Sequence, residues 1–285
     1  MAITLDGTDG ITTSGDIVVT GNGSVKIPTG TTAQRPDNPA NGYMRYNTTT
    51  KSIEIYHESI SSWNSDFSGS LAASGGTEST MTENNVAYKV HAFTSSGNFV
   101  VTRPGDIEYL VVGGGGSGVS GHVGTPAGGD GGGQTEGTAS VSIQTYSIVV
   151  GAGGAGWTSV NNGSSSSAFG DSSSGGVYGT NTTGGDGADG SLYSKFIEYG
   201  TTSANVNGGG GYFGGQGGDN GADRGDGYAG RGGAGGGGRA GHDGSGYNNG
   251  ENGYANSGGG GGAGDAQSSA SGSGGSGIVI IRYPI

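Results

Sequence analysis

One glycine motif has the spacing of a dinucleotide-binding loop. The sequence Gly-x-Gly-x-x-Gly at 151–156 follows the apolar run 146–150, and Asp171 lies at the distance expected of a carboxylate that binds a ribose. That chemistry needs a helix whose first turn holds the pyrophosphate, and the Thr, Asn and Ser residues of 157–167 do not favour a helix. The same spacing recurs at 113–118, so we interpret both motifs as consequences of glycine content.

A second motif resembles the start of a calcium-binding repeat. Gly-Gly-Asp-Gly-Ala-Asp at 184–189 fits the opening of the nonapeptide repeat, in which calcium binds between stacked turns. The nearest comparable stretch, 217–223, has its spacing off by one position. The alternatives are a structural calcium ion and solvated aspartates that form turns. We favour the second and predict no metal site.

The residues that usually carry out catalysis are scattered. His57, His91, His122 and His242 lack metal-ligand spacing, and neither a Gly-x-Ser-x-Gly elbow nor a phosphate-binding Gly-x-x-x-x-Gly-Lys loop occurs. Paired carboxylates can still converge in a fold, as they do in glycosidases. We expect no catalytic residues, no cofactor and no enzyme activity.

Aromatic side chains recur singly or in small groups through the glycine-rich tract. A glycine scaffold has little side-chain core for them to enter, and Tyr beside Asn, Asp, Ser and Gly is typical of recognition surfaces. The alternative is that half or more of them pack between glycine segments. The candidate receptor-binding residues are Tyr178, Tyr193, Tyr199, Tyr212, Phe213, Tyr228, Tyr247 and Tyr254.

The glycine-rich tract, residues 113–277, lies between two strand-like runs. A disordered tail is expected to trail off in polar residues, whereas this tract ends at the β-branched run 278–283, which can pair with the preceding run 107–112. We therefore predict a folded insert in a β framework. The framework consists of residues 86–112, 141–150 and 278–283.

The chain before this framework divides into a β module and a linker. Residues 1–67 contain short β-branched stretches, including a hairpin formed by 42–47 and 52–56 that Trp63 covers. Residues 68–85 are small and polar, which is typical of a linker. We place a domain boundary near residue 80, so that the glycine-rich domain is 86–285.

Composition limits what can stabilise this chain. Of 285 residues 72 are glycine and only 29% are hydrophobic, so an ordinary side-chain core is not available. Because ordering glycine costs more backbone entropy than ordering any other residue, backbone hydrogen bonds, close packing or assembly of several chains must offset that cost. Collagen is excluded because glycine does not occupy every third position and Pro126 is the only proline in the tract.

The charge is also informative. The net charge of −12 is spread along the chain, which argues against nucleic acid and anionic membranes as partners. No apolar run approaches the roughly 20 residues that cross a bilayer, and residues 1–7 lack the features of an export signal. We expect a soluble chain that is made without a classical export signal and does not insert into a membrane.

Two parts of the sequence resemble bacteriophage virion proteins. Residues 31–48, continuing to Ile-Glu-Ile-Tyr at 53–56 and to Trp63, resemble a module of tail fibres and other phage structural proteins. The stretches 90–99, 107–116, 146–154 and 277–283 together resemble the glycine-rich domain of phage tail fibres and adhesins.

The resemblance implies an all-β fold with a glycine-rich, irregular or polyglycine II-like insert. Polyglycine II helices are extended, have three residues per turn and hydrogen-bond to each other sideways. Residues 192–206 interrupt the glycine, so a uniform bundle is not expected there. The resemblance also implies a trimeric, fibre-like assembly in which the short N-terminal module attaches to the virion or builds the shaft.

These features together predict a tail-fibre or adhesin subunit on the virion exterior. Its partners would be other copies in a homotrimer, other virion proteins, and a host surface glycan or outer-membrane protein. One alternative is a purely structural virion protein, such as a head fibre, decoration or tail-assembly component. A third possibility is a spike that depolymerises host polysaccharide.

Overall fold

The computed structural model describes residues 24–58, 61–64, 71–120, 126–157, 160–180, 186–202, 210–219, 230–241, 249–265 and 269–285. The chain divides into two compact units, Met1–Ser68 and Gly69–Ile285. The fold is nearly all β, and no helix in the described ranges reaches seven residues, which confirms the predicted fold class. No described helix is long and apolar enough to cross a membrane.

The N-terminal unit contains one four-stranded sheet with the order β1-β2-β3-β4. Its strands are β1 (Thr29–Gly30), β2 (Met44–Asn47), β3 (Ser52–His57) and β4 (Ser62–Asn64). The predicted hairpin is present, with Met44 opposite Ile55 and Asn47 opposite Ser52. Lys51 in its loop has a φ of 55°, which tightens the turn between the two strands.

A buried polar cluster holds this sheet to the preceding turn. The carboxylate of Glu54 accepts hydrogen bonds from Arg35 Nη2 (2.6 Å) and Asn47 Nδ2 (3.0 Å), and Arg45 Nε lies 3.4 Å away. Trp63 stacks over both guanidinium groups at about 6 Å. The hydrogen bond from Arg35 lowers the pKa of Glu54. The Arg, Asn, Glu and Trp of the resembled module therefore have structural roles here.

The second unit is built on a five-stranded antiparallel sheet with the order β10-β9-β16-β7-β6. A three-stranded sheet, β11-β8-β5, and two two-stranded sheets, β12-β13 and β14-β15, accompany it. The strands are β5 (Ala72–Ser74), β6 (Thr77–Glu83), β7 (Val86–Phe93), β8 (Gly97–Arg103), β9 (Gly105–Val112), β10 (Gln134–Val141), β11 (Thr145–Ile148), β12 (Ser166–Ala168), β13 (Asp171–Ser173), β14 (Ser191–Leu192), β15 (Tyr212–Phe213) and β16 (Ile278–Pro284).

The two runs that enclose the glycine-rich tract pair with each other. Ile278 of β16 lies opposite Val112 of β9, so the tract leaves and re-enters the sheet at adjacent positions. Successive residues of a strand point to opposite faces, and β16 is buried on both. Its Ile281 packs in a cluster with Phe99, and its Ile280 packs in a second cluster with Phe213.

The predicted linker at 68–85 is wrong. Strand β6 pairs with β7 along its whole length, and β5 pairs with β8, so these small polar residues form edge strands. Asn84 and Asn85 have φ values of 49° and 64°, as the two-residue turn between β6 and β7 requires. The compact units divide after residue 68, and the expected boundary near residue 80 is also wrong.

The predicted strand at 141–150 is only partly correct. Strand β10 ends at Val141, and β11 covers only Thr145–Ile148. The earlier strand was missed because Gln134–Val141 is rich in Thr and Ser and contains Gly137. That glycine lies opposite Tyr109 and leaves space for its ring, since a Cβ there would overlap the phenol.

The glycine-rich tract forms a bundle of extended segments, which we number in chain order. The segments are s1 (113–119), s2 (127–133), s3 (151–156), s4 (160–165), s5 (174–179), s6 (186–190), s7 (214–219), s8 (230–234), s9 (236–241), s10 (249–254), s11 (258–264) and s12 (270–277). Strands β12 and β13 form a hairpin between s4 and s5.

Segment s1 shows the three-residue period expected of a polyglycine II helix. Its amides donate to three different neighbours, and amides three residues apart donate to the same one, at 2.7–3.0 Å. Residues 113, 116 and 119 bond to s2, residues 114 and 117 to s4, and residues 115 and 118 to s12. Its carbonyls accept from s3, s5 and s11, so six segments surround it.

Close packing of these segments explains why they are made of glycine. A Cβ at Gly115 would overlap the carbonyl oxygen of Gly259, and one at Gly261 would overlap that of Gly272. The hydrogen bonds of s11 likewise reach six segments: s1, s2, s7, s9, s10 and s12. Backbone hydrogen bonds thus replace the side-chain core that the composition cannot supply.

Candidate functional site

The ends of the glycine segments divide into two groups. Residues 113, 133 and 277 continue directly into strands β9, β10 and β16, and we call this the proximal end. Because s1 runs away from the sheet, Val119 marks the distal end, and it bonds there with Ala127 (2.7 Å) and Gly264 (3.1 Å).

Many of the glycine segments begin or end at the distal end. The hydrogen bonds between segments place these terminal residues at one end of the bundle: 120 and 126, 157 and 160, 180 and 186, 219 and 230, 241 and 249, and 265 and 269. Segment ends from along the whole glycine-rich tract are therefore brought together on this side. The distal end is the candidate functional site.

Trp157 is the most exposed large aromatic side chain of the described distal end. Its side chain is 67% exposed, while its amide donates to Ser271 O at 3.0 Å and its carbonyl accepts from the hydroxyls of Ser271 (3.3 Å) and Ser120 (3.5 Å). Its φ is 84°, a region that bulky residues rarely adopt. The backbone is thus fixed in a strained conformation that projects an indole into solvent.

The segments beside Trp157 form an uncharged face. Segment s4 bonds to s3 through Ser164 N–Ala152 O (2.8 Å) and to s5 through Gly163 N–Gly176 O (2.8 Å), so the three lie side by side. Residues 150–157, 160–165 and 174–180 contain no Asp, Glu, Lys, Arg or His. This is notable in a chain with a net charge of −12.

The opposite side of the bundle carries charged residues, and some of them accept backbone hydrogen bonds. Asp186 Oδ1 accepts from the Arg231 amide (2.8 Å), and Asp189 Oδ1 accepts from the Ala234 amide (2.7 Å). The three-residue spacing of the aspartates matches the period of the bundle. The calcium-like motif is therefore an edge that binds amides of s8, and no group of three or more metal-binding side chains occurs in the described ranges.

Asparagines serve the same purpose on s10. Asn249 Oδ1 accepts from the Ala270 amide at 3.0 Å, and Asn252 Oδ1 accepts from the Ser273 amide at 2.8 Å. An Asx residue at every third position can therefore replace a missing neighbouring segment at an edge of the bundle. The sequence signal for this role is an i, i+3 repeat of Asp or Asn among glycines.

The dinucleotide-like motif is not followed by a helix in the described residues. Residues 151–156 are segment s3, and the described residues that follow are extended. Asp171 accepts a hydrogen bond from the Tyr109 hydroxyl at 2.6 Å. Burial and this carboxylate raise the pKa of Tyr109 to about 12. The glycine motif and Asp171 therefore both have structural roles in the described fold.

The predicted aromatic contact residues do not form one site. Phe213 is fully buried in the second core cluster, and Tyr193 and Tyr199 pack against that cluster near the sheet. We therefore remove Phe213 from the predicted contact set, because its ring has no exposed surface. Tyr212 lies at this proximal side, half-buried in β15.

Of the remaining predicted residues, two lie in described segments. Tyr178 is half-buried near the distal end of s5, and Tyr254 is 38% exposed near the proximal end of s10. Tyr228 and Tyr247 lie outside the described residues. Trp157 is not among the residues predicted from the sequence, and its position directly after the glycine motif 151–156 was the available signal.

A family comparison matches this architecture. The model of a family described as "Glycine-rich domain" matches residues 94–284, which is more than half of the chain. The chain belongs to this family. The matched region includes the whole bundle and strands β8 to β16, and it begins after β6 and β7. No curated protein matches the sequence.

Proposed function

We propose that this chain is a bacteriophage tail-fibre or adhesin subunit on the virion exterior. Its N-terminal unit attaches to other virion proteins, and the distal end of its glycine-rich domain binds a receptor on the host cell. The receptor is a surface glycan or an outer-membrane protein, and the working assembly is a homotrimer.

One observation carries the proposal most directly. The described ends of many glycine segments lie together at the distal end, opposite the sheet, while the segments are fixed by backbone hydrogen bonds. Such a scaffold lets residues at its end vary without changing the fold, as in other proteins that bind through loops on a rigid framework. The resemblance of residues 31–63 to a phage structural module supports the virion location.

The experiment is binding of the purified full chain, presented as a trimer, to cells that the phage infects. We expect saturable binding and dose-dependent inhibition of infection. Tyr178→Ser, near the distal end, is expected to weaken binding, whereas Tyr43→Ser, at an exposed position of the N-terminal unit, is the matched control. A trimer that neither binds these cells nor inhibits infection would contradict the proposal.

A structural role in the virion is the alternative. It is favoured by the position of Tyr193, Tyr199 and Phe213, which pack near the sheet and strengthen the framework. Antibody labelling of intact particles separates the two functions. Labelling on the head, or no labelling of the intact particle, favours the structural role, and labelling at exposed fibre tips favours receptor binding.

A further inference from the structure

The uncharged face of s3, s4 and s5 has the chemistry of a saccharide-binding surface. We propose that this face, centred on Trp157, binds a neutral oligosaccharide. The inference rests on the proposed function, because it selects one of the two receptor classes and gives it a location.

Trp157 supplies the surface on which a sugar ring can stack. Its indole is 67% exposed, and the backbone that carries it is bonded to Ser271 and Ser120 on neighbouring segments. A fixed, flat aromatic ring provides contact area at low entropic cost. A bulky residue at φ 84° is costly to keep, and such strain is concentrated at functional sites.

Polar groups for the sugar hydroxyls lie on the adjacent segments. Asn162 is exposed, and its Oδ1 accepts the Tyr178 amide at 3.0 Å, so the amide group of its side chain is held between s4 and s5. Segments about 5 Å apart and a rise of about 3 Å per residue place the backbones of Trp157 and Tyr178 about 10 Å apart. A short oligosaccharide can contact both.

The absence of charged side chains on this face determines which kind of saccharide it can bind. The face has no Lys or Arg to pair with the carboxylates or phosphates of an acidic polymer. It also has small exposed residues, Ala152 and Ala155 on s3, so the surface around the indole is nearly flat. A neutral ligand with an apolar C–H face fits this surface better than an anionic one.

The test uses the full chain on an array of neutral and acidic glycans. We expect binding to neutral glycans that Trp157→Gly weakens at least tenfold, while Trp157→Phe keeps part of it. The control Ile143→Ala, whose side chain is also 67% exposed but lies between β10 and β11, is expected to keep all of it. Because glycine accepts a positive φ, Trp157→Gly is also expected to unfold at a temperature no lower than the wild type. Lost binding with retained stability separates a ligand contact from a structural role.

Three results would overturn the inference. They are binding to acidic glycans alone or to none, equal binding by Trp157→Gly, and a change of oligomeric state in Trp157→Gly, which would make this face an interface between copies. Binding to host cells without binding to any neutral glycan removes this inference and leaves the proposed function. Binding to neutral glycans without binding to host cells supports this inference and contradicts the proposed function.

Discussion

Arg282 Nε lies 2.6 Å from Glu108 Oε2, which joins the two strands that enclose the glycine-rich bundle. The same guanidinium lies 2.8 Å from Glu83 of β6, donates to the Lys195 carbonyl at 3.0 Å, and is 2% exposed. One buried cation thus connects β16 with β9, with the sheet edge, and with the 3₁₀ turn Ser194–Phe196, which lies between segments s6 and s7.

Arg282→Lys is expected to destabilise the second unit by about 3 kcal/mol. Lysine cannot reproduce three separate hydrogen bonds from one planar group, and it leaves buried partners unsatisfied. Urea unfolding measures the effect. Arg103→Lys is the control, since Arg103 is exposed, and we expect a change within about 0.5 kcal/mol there. Equal effects of the two substitutions would show that the buried network is unimportant.

Gly115→Ala tests whether the bundle depends on close backbone packing. The added methyl group would overlap the Gly259 carbonyl, so we expect a loss of about 3 kcal/mol or more, or failure to fold. Gly97→Ala is the matched control, because a Cβ there meets only the Phe93 ring at 3.6 Å. The free energy of unfolding of both variants provides the comparison, and a tolerated Gly115→Ala would refute the packing argument.

Because His91 is buried, we expect the second unit to be less stable to unfolding in mild acid. Its Nδ1 donates to the Gly75 carbonyl at 2.7 Å, so its Nε2 accepts from the Tyr283 hydroxyl at 3.1 Å while the ring is neutral. Burial lowers the pKa of His91 below its usual 6.5. Lys89 lowers this pKa further, whereas Glu78, whose Oε1 lies 3.9 Å from Nδ1, raises it.

Because the unfolded chain then binds the proton more tightly, the free energy of unfolding should fall as the pH drops below 6.5. The test is to measure the free energy of unfolding of the wild type and of His91→Gln between roughly pH 5 and pH 8. This range spans the usual pKa of histidine. We expect the pH slope to decrease in the variant. If the free energy of unfolding varies with pH equally in both proteins, the pH dependence comes from titratable groups other than His91.

Glu54→Gln is expected to destabilise the N-terminal unit by about 3 kcal/mol, since it leaves two arginines against a neutral amide. Trp63, which stacks over both guanidinium groups, reports the change through its fluorescence. Because the pKa of Glu54 is lowered, its contribution is present above pH 4.5 and is lost as the pH falls further. The exposed Glu58→Gln is the control, and equal midpoints would contradict the role of the cluster.

The sequence predicted the features that depend on local pattern. The β-branched runs at 107–112 and 278–283 were expected to pair, and the hairpin around Lys51 was recognised from its alternation. Both depend on residue types that favour a strand irrespective of their neighbours. The three-residue period of the bundle was implied by the resemblance to phage adhesins. Glycine content alone does not determine which neighbouring segment each amide bonds to.

Features that depend on distant partners were not predictable. Residues 77–83 have the composition of a linker, and only pairing with β7 makes them a strand. The environment of Phe213 is set by β9 and β16, far away in sequence, so its burial could not be read from the glycines around it. The i, i+3 spacing of Asp186 and Asp189 is visible in the sequence, but it does not identify the amides of s8, about 45 residues further on, as their partners.

The most direct test of the account is a cryo-EM map of the virion with this chain located in it. We predict a trimer on the particle exterior, with the N-terminal unit against other virion proteins and the distal end of the glycine-rich domain exposed at a tip. A map in which the chain lies inside the particle, or in which the distal end is covered by other virion proteins, would contradict it.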